Sequence, residues 1–394
     1  MQRFRFGLSL NLAFLVAISC ATAWGQPRPR ARDVGIPLQG RPGPLNAITD
    51  VQGVEVGHTT LISGQGKLVV GKGPVRTGVT AVLPVGKRFA RVFAGWYSLN
   101  GNGEMTGTTW VEESGFLDGP VLITNTHSVG VVRDAVVEWL VTEPISSGQS
   151  WSLPVVAETW DGFLNDINGF HVKKEHALAA LRTASPGPVA EGGVGGGTGM
   201  VCHQFKGGIG TSSRRLKAAG QDYTLGVLVQ ANYGGRSTFT VAGVPVGQEI
   251  PGYLPERGGS GGPGADGGGS IIVIVATDAP LLPHQLKRLA RRVPLGIAKV
   301  GGIGHNGSGD IFIAFSTAHA SDPRTVPQDA IEVKMLANRS MNPLFLATVQ
   351  ATEEAILNAL VAGESMVGIN GNKVHGLPHQ RLREALRKYN RLAE

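Results

Sequence analysis

The stretch "GGGSIIVIVATDAP" at residues 267–280 joins a glycine-rich tract to a continuous apolar run. The run is short and rich in β-branched side chains, so it predicts a strand that is buried on both faces. The tract before it, residues 258–269, offers few side chains that a core could bury, so it predicts a mobile surface linker. Ser270 therefore lies where a flexible segment enters a fixed strand.

Patterns of the same kind recur on both sides of this junction. Helical spacing of apolar residues and short β patterns come in blocks of two or three, without strict alternation of strand and helix. This order favours layers of sheet and helix in one large α+β unit. The β patterns lie at residues 47–61, 78–86, 120–125, 223–234 and 309–317, and the helical patterns at residues 129–143, 281–302, 341–363 and 379–394.

The composition fits a folded enzyme-sized chain more than a nucleic-acid binder. The 394 residues carry a formal charge of +7 and contain 58 glycines, about twice the usual share of roughly 7%. The positive charge forms no single dense run. The basic C-terminal segment, with Leu382 and Leu386 at helical spacing, predicts an amphipathic helix with a solvated basic face, and we expect no nucleic-acid partner.

The N-terminus has the pattern of a secretory signal peptide. Arg3 and Arg5 precede an apolar run at residues 8–18, and small residues follow. We therefore predict a signal peptide over residues 1–25 and a periplasmic or secreted protein without a stable membrane span. The apolar run is too short for a membrane anchor, which needs roughly 20 residues, and the residues before Cys20 are a poor lipoprotein signal.

Two further boundaries follow from the composition of the exported part. Residues 26–44 are rich in Pro and Arg and predict an extended arm, and residues 45–394 predict a single catalytic domain. After removal of the signal peptide only Cys202 remains, so no disulfide can form within the chain.

The sequence contains no pattern typical of a metal or cofactor site. His375 and His379 are four residues apart, but Gly376 and Pro378 prevent the helical turn that would make them neighbours. The tract "GGVGGGTGM" at residues 192–200 imitates a nucleotide-binding loop, yet no strand precedes it. We interpret it as a turn-forming loop whose backbone N–H groups could face an active site. We expect no metal and no cofactor.

A serine hydrolase of the Ser-His-acid type usually has a nucleophile elbow, and this pattern is missing in the required strand-turn-helix context. An alternative is a serine that becomes N-terminal by peptide cleavage, because its own α-amine can then serve as the base. Gly269 before Ser270 would allow the backbone conformation that such a cleavage needs. From these residues alone, an ordinary loop serine at the start of a strand remains the favoured alternative.

Five blocks of the sequence together resemble the family of L-aminopeptidase/D-Ala-esterase/amidases and β-aminopeptidases. The resemblance extends from about residue 44 to about residue 378. The blocks are "VVAETWDGFLNDIN", "GGVGGGTGM", "VLVQANYG", "GGGSIIVIVATDAPLLPHQLKRLARR" and "NGSGDIFIAFSTA".

The resemblance implies a precursor that cleaves itself between Gly269 and Ser270 into residues 26–269 and 270–394. It implies an α+β fold, a four-layer αββα sandwich that resembles N-terminal nucleophile (Ntn) hydrolases with a different strand connectivity. The implied activity removes N-terminal residues, L- and in some members D- or β-, from peptides, amides and esters that have a free amino group. The implied assembly is a homo-oligomer of cleaved chain pairs.

The motifs of the family also suggest roles for single residues. Ser270 matches the nucleophile, Ser308 and Asp310 match a serine and an acid beside it, and Asn232 matches an oxyanion-hole donor. Glu158 would bind the amino group of the substrate. Without the resemblance, a turn residue, a strand cap and a surface ion pair would explain Ser308, Asp310 and Glu158.

One residue departs from the pattern. Trp160 stands where the aminopeptidases of the family commonly have Tyr, and an indole N–H can donate a hydrogen bond but cannot relay a proton. We therefore expect Trp160 to affect substrate range or rate rather than the class of reaction.

Two alternatives remain open at this point. One is an acyltransferase on the same fold, although the related ornithine acetyltransferases use a threonine nucleophile in the cytoplasm. The other is a non-catalytic, glycine-rich binding protein of the cell envelope. A binding protein would have no use for Ser270, Ser308, Asp310 and Asn232 as a set, so the sequence favours a serine aminopeptidase.

Overall fold

The computed structural model describes residues 28–88, 90–143, 151–258, 269–321 and 330–393. The predicted signal peptide and most of the glycine-rich tract lie outside these residues. The strands are β1 (Glu55–Ser63), β2 (Val75–Lys87), β3 (Arg91–Ser98), β4 (Phe116–Leu117), β5 (Val121–Asn125), β6 (Val155–Thr159), β7 (Val201–Cys202), β8 (Phe205–Lys206), β9 (Gly208–Ala218), β10 (Gln221–Asn232), β11 (Ser270–Thr277), β12 (Asp310–Ser321), β13 (Met366–Val367) and β14 (Lys373–Val374). The helices are α1 (Thr108–Ser114), α2 (Val129–Thr142), α3 (Lys174–Thr183), α4 (Val246–Glu249), α5 (Pro283–Ala290), α6 (Val293–Lys299), α7 (Asn342–Val361) and α8 (His379–Lys388).

Two sheets form the centre of the fold. One has the strand order β1-β2-β5-β6, and the other has the order β4-β3-β12-β11-β10-β9. Within the larger sheet β11 runs parallel to β12 and antiparallel to β10. In the smaller sheet β5 and β6 are parallel.

The apolar side chains divide into three layers of core. One cluster fills the space between the two sheets, a second lies between the smaller sheet and helices α2 and α3, and a third lies between the larger sheet and helices α5, α6 and α7. The layers therefore stack as helix, sheet, sheet, helix, and the prediction of an α+β four-layer αββα sandwich is confirmed.

The position of strand β11 explains why apolar residues follow one another without a break in this part of the sequence. Ile271, Val273 and Val275 belong to the core on the helical side, whereas Ile272 and Ile274 belong to the core between the sheets. Successive side chains of a strand point to opposite faces, so a strand covered on both faces needs apolar residues at every position. The structure confirms the predicted burial on both faces.

The N-terminal segment differs from its prediction as an extended arm. Ala31, Val34 and Ile36 are buried in the core beside helix α7. Arg30 and Arg32 form ion pairs with Glu191 and Glu354, whose side chains are buried. The arm prediction is therefore wrong for the described residues 28–44, which are part of the folded domain.

Helix α7 is the one described helix long and apolar enough to cross a membrane. Most of this helix is buried inside the protein, where it packs on the larger sheet. Its apolar character is explained by this position in the core.

Candidate active site

The strand order brings three strand ends to one edge of the larger sheet. Because β11 and β12 are parallel, their N-terminal ends meet at this edge, where Ile271 pairs with Asp310. Because β10 is antiparallel to β11, its C-terminal end also lies there, and Asn232 pairs with Ser270. Residues from three distant parts of the sequence thus converge.

Ser270 begins β11 and is almost fully buried. Its Oγ accepts a hydrogen bond of 3.0 Å from the backbone N–H of Gly309. The hydroxyl is therefore held beside the peptide bond that joins Ser270 to Gly269.

Ser308 and Asp310 lie on the other side of that peptide bond. The Oγ of Ser308 contacts the carbonyl oxygen of Gly269 and lies 2.6 Å from Oδ1 of Asp310. A hydroxyl has one proton, so Ser308 can donate to only one of these two oxygens at a time. It can donate to Gly269 when Asp310 is itself protonated and donates to Ser308.

The environment of Asp310 favours this protonated form. Burial raises the pKa of Asp310, against the opposing effect of hydrogen bonds with Ser308 and Asn100. Asn100 accepts a 2.7 Å hydrogen bond from the backbone N–H of Asp310 and donates to its Oδ2 at 3.3 Å. Asn100 thus fixes the orientation of the carboxyl group.

Gly269 occupies a position that a side chain could not share. Its φ of 147° lies in the region that favours glycine. A Cβ at this residue would lie 2.0 Å from the backbone oxygen of Asn232. Glycine therefore lets the chain pass close to the end of β10 while its carbonyl group faces Ser308.

The side-chain amide of Asn232 is fixed at both ends. Its Oδ1 accepts a hydrogen bond of 2.8 Å from the N–H of Val201, and its Nδ2 donates to the carbonyl oxygen of Trp160 at 2.9 Å. The Nδ2 has a second proton and lies near Gly269, 3.4 Å from the position of the absent Cβ. This geometry suits a donor to an oxyanion.

Glu158, near the end of β6, lies on one side of Gly103. Gly309, which is next to Ser308 and binds Ser270, lies on the other side. A Cβ on Gly103 would lie 3.2 Å from Oε1 of Glu158 and 3.0 Å from Cα of Gly309. Thr126 donates to Glu158 Oε2, and the N–H of Glu104 donates to Oε1 at 3.1 Å. Burial raises the pKa of Glu158 despite these two hydrogen bonds.

A second buried carboxyl group lies close to Glu158. Burial, together with the nearby charge of Glu158, raises the pKa of Asp161 to about 7. Asn165 donates to Asp161 Oδ1 at 3.0 Å. Two buried carboxyl groups make this region favourable for a bound cation such as a substrate ammonium group.

Trp160 contributes its backbone to the site, through the carbonyl oxygen that accepts from Asn232. Its indole ring packs over Gly162 and against the small apolar cluster of Phe163 and Leu164. The sequence predicted a substrate-binding role for this residue, and the structure places it next to the proposed oxyanion donor.

The glycine tract at residues 192–200 lies buried between the two sheets. The N–H groups of Gly195 and Gly196 donate to the hydroxyls of Thr60 and Thr80. The sequence suggested that N–H groups of this loop could face an active site. These two N–H groups instead bind the two threonine hydroxyls. The N–H of Val201, directly after the tract, donates to Asn232 and does reach the site.

Sequence reasoning missed several groups of the site. They are the backbone N–H of Gly309, the Asn100 side chain, the Thr126 hydroxyl and the close approach of Gly103. The first is a main-chain group without a side-chain signal. The others lie in polar turns, where Asn, Thr and Gly are common for local reasons, so sequence alone could not distinguish them.

The described residues contain no group of three or more His, Cys, Asp or Glu side chains that could hold a metal ion. His375 contacts Glu256 at 2.5 Å, and His379 contacts the carbonyl oxygen of Val361. These histidines thus have separate partners.

Comparison with known proteins gives a consistent result. The model of peptidase family S58 matches residues 46–374. The beta-peptidyl aminopeptidase BapA of Sphingosinicella microcystinivorans is 57% identical over 389 residues, which cover 97% of this chain and 98% of the relative. The BapA of Sphingosinicella xenopeptidilytica is 49% identical, over 95% of each chain.

A solved structure shows the same fold. The L-aminopeptidase D-Ala-esterase/amidase of Ochrobactrum anthropi superposes with a TM-score of 0.87 at 47% identity, covering 93% of this chain and 100% of that one. That protein is a serine aminopeptidase whose structure is a variant of the Ntn hydrolase fold. All three of these proteins are named as aminopeptidases. The chain belongs to peptidase family S58 and is a serine-type aminopeptidase.

Proposed function

We propose that this aminopeptidase is made as a precursor, cleaves itself between Gly269 and Ser270, and then uses the freed Ser270 as its nucleophile. One observation carries the proposal: the Ser270 hydroxyl, held by Gly309 N–H, and the Ser308 hydroxyl flank the same Gly269–Ser270 peptide bond.

The self-cleavage would begin with attack of Ser270 Oγ on the carbonyl carbon of Gly269. Ser308 and the free N–H of Asn232 would stabilise the negative charge that develops on the carbonyl oxygen. The Oγ proton passes to the nitrogen, the C–N bond breaks, the nitrogen becomes the α-amine of Ser270, and Gly269 is left as an ester on Oγ. Water hydrolyses this ester to a Gly269 carboxylate and a free hydroxyl.

In the turnover reaction the α-amine of Ser270 would replace the missing histidine. A free α-amine has a pKa near 7.7 to 8.0, so it can accept the hydroxyl proton at neutral pH. Oγ attacks the substrate carbonyl, the proton passes to the leaving amine, and water releases the acyl group from the serine. The Asp310 carboxyl group would stabilise the α-ammonium form, since it lies beside the start of β11.

Substrate selection would depend on the free amino group. Glu158, with Asp161 close to it, is a buried carboxyl group beside Gly103, and its ionised form would bind the substrate ammonium group. A desolvated ammonium–carboxylate hydrogen bond is among the stronger polar contacts available to a protein. Because two relatives of high identity are named beta-peptidyl aminopeptidases, we include β-amino acids among the N-terminal residues removed.

The central experiment is N-terminal sequencing of the bands that purified protein gives on a denaturing gel. The proposal expects a piece that begins Ser270-Ile271-Ile272 and an uncleaved, inactive Ser270→Ala variant. Active protein with a single full-length band would refute it. Assays on β-alanyl and L-alanyl p-nitroanilides would test the substrate class, and failure to hydrolyse the β-alanyl compound would exclude the β preference.

The proposal also includes export and assembly. Residues 1–25 would be removed on export to the periplasm or the medium, and the cleaved pairs would form a homo-oligomer. Sequencing the larger piece from a periplasmic fraction should give a start near residue 26, and light scattering should give a mass of at least two pairs. A cytoplasmic protein that retains Met1 would contradict the export proposal.

A further inference from the structure

Lys206 is a completely buried lysine that lies outside the catalytic groups described above. It ends the short hairpin of β7 and β8, whose turn residues His203 and Gln204 both have positive φ. A buried lysine is rare unless its ammonium group is fully satisfied. Its contacts therefore call for a specific explanation.

The ammonium group of Lys206 donates to three backbone carbonyl oxygens. These are Gly197 at 3.2 Å, Met200 at 3.0 Å and Gly207 at 2.9 Å. An ammonium group has three N–H donors, so each donor has one acceptor. The ion pairs found among the described residues do not include Lys206, and burial lowers its pKa to about 7. The three carbonyl oxygens favour the charged form, which has one donor for each of them.

Two of these carbonyl groups belong to the loop that holds Asn232. Met200 comes directly before Val201, whose N–H donates to Asn232 Oδ1 at 2.8 Å, and Gly197 lies four residues before Val201. The third, Gly207, closes the other end of the same unit, because its own N–H donates to Met200 O at 2.9 Å. Lys206 thus fixes both sides of the turn that presents Val201.

The contacts with Val201 and Trp160 together decide which way the Asn232 amide points. With Oδ1 bound to Val201, Nδ2 faces Trp160 O and lies near Gly269. If Val201 moved away, the amide could rotate and present its oxygen to the developing oxyanion. That orientation would repel the negative charge instead of stabilising it.

We propose that Lys206 is a positioning residue for the oxyanion donor: its ammonium group binds two carbonyl oxygens of the glycine loop and that of Gly207, so that Val201 N–H holds the Asn232 amide in one orientation. The inference rests on the proposed function, since it assigns Asn232 the role stated there. It adds a residue that touches neither the substrate nor the reacting atoms.

The test is a double-mutant cycle on turnover of a p-nitroanilide substrate. Lys206→Met keeps an unbranched side chain one atom shorter and removes all three donors. We expect kcat to fall about ten- to a hundredfold with KM nearly unchanged, because a donor displaced by about 1 Å costs rate rather than ground-state binding. In an Asn232→Ala background, the same change should alter kcat by less than about twofold, since residues acting through one group are not additive.

Two further variants separate positioning from general stability. Gln285→Met removes buried hydrogen bonds to Leu336 O and Asn338 Oδ1, remote from Asn232, and should lower the melting temperature without lowering kcat. Lys206→Gln retains two N–H donors and should give an intermediate kcat. It also serves as the test variant if Lys206→Met does not fold.

Each outcome decides the inference. A folded Lys206 variant with the kcat of the parent protein would overturn it, and so would an equal loss of kcat with and without Asn232. Failure of the proposed function is recognised separately, because the unmodified protein would then yield no piece that begins at Ser270.

Discussion

The Ser308→Ala variant tests the geometry at the Gly269–Ser270 bond most directly. The Ser308 hydroxyl contacts the Gly269 carbonyl oxygen and lies 2.6 Å from Asp310. Removing one donor from a developing oxyanion costs roughly 10²- to 10³-fold in rate, or about 2.7 to 4 kcal/mol of barrier. Because Asn232 would remain as a second donor, we expect self-cleavage to be slowed by this factor and not abolished.

The measurement is the fraction of cleaved chain against time on a denaturing gel, after purification of the precursor. The pH dependence gives a second readout. An ionised Asp310 competes with the Gly269 carbonyl for the Ser308 proton, so cleavage should slow as pH rises through the raised pKa of Asp310. Asp310→Asn keeps an N–H that can donate to Ser308, and its cleavage rate should lose this dependence.

Ser316→Ala is the matched control for Ser308→Ala. Ser316 lies further along β12, is fully buried, and also donates to a backbone carbonyl, that of Ala279 at 2.6 Å. Its loss should leave the cleavage rate within about twofold, since surface and core hydrogen bonds away from the site contribute to stability only. If Ser308→Ala cleaved itself as fast as Ser316→Ala, Ser308 would have no part in the reaction.

Three other variants extend the test. Gly269→Ala places a Cβ 2.0 Å from the backbone oxygen of Asn232 at a φ of 147°. The rate of self-cleavage in the gel assay should therefore fall at least about tenfold. An unchanged rate would mean that the backbone at the end of β10 moves to make room for the Cβ. Glu158→Gln should raise KM about ten- to a hundredfold with a smaller change in kcat. The pKa of Glu158 is raised above its ordinary value of 4.5, and in the parent protein KM should rise as pH falls below this raised pKa. If the Gln variant showed the same rise in KM, another group would be responsible for it. Glu354→Leu leaves the buried Arg214 without its ion-pair partner and should lower the free energy of unfolding by about 3 to 5 kcal/mol in denaturant titration. The control Glu364→Gln, at an exposed ion pair, should lower it by at most about 1 kcal/mol. Equal losses would argue against a special role for the buried pair.

The sequence predicted the core strands well because their signal is local. A continuous β-branched run such as residues 271–276 fits only a strand that is covered on both faces, and β11 has this position. Helix α7 was equally clear, since Asn342 and Pro343 mark its start and Gly363 follows its end. In both cases neighbouring residues carry the whole pattern.

The candidate site could be predicted only in part. Ser270 alone was better explained as a loop serine, and the resemblance of five blocks to a known family gave it a role. The contacts that support that role join residues far apart in the chain, such as Asn100 with Asp310 and Val201 with Asn232. No local pattern marks such pairs.

The N-terminal segment failed as a prediction for a related reason. Proline and arginine usually indicate solvated, extended chain. Here Arg32 meets Glu354, 322 residues away, and its backbone neighbour Ala31 donates from its N–H to Asn358. The sequence does not show which acidic residue meets Arg32, and without that partner the arginine is interpreted as exposed. The partner, Glu354, lies on helix α7.

The strand order also bears on what cleavage at Gly269–Ser270 would do to the molecule. In the larger sheet β12 and β11 come from residues 270–394, and they lie between β3 and β10 from residues 26–269. Their apolar side chains are buried on both faces. Separating the two pieces would therefore require removal of two central strands from a sheet, with loss of every ladder hydrogen bond on both sides and of both cores. Cutting one peptide bond removes none of these contacts, so the cleaved enzyme should remain folded, and the new α-amine of Ser270 should stay beside Ser308 and Asp310, where the reaction needs it.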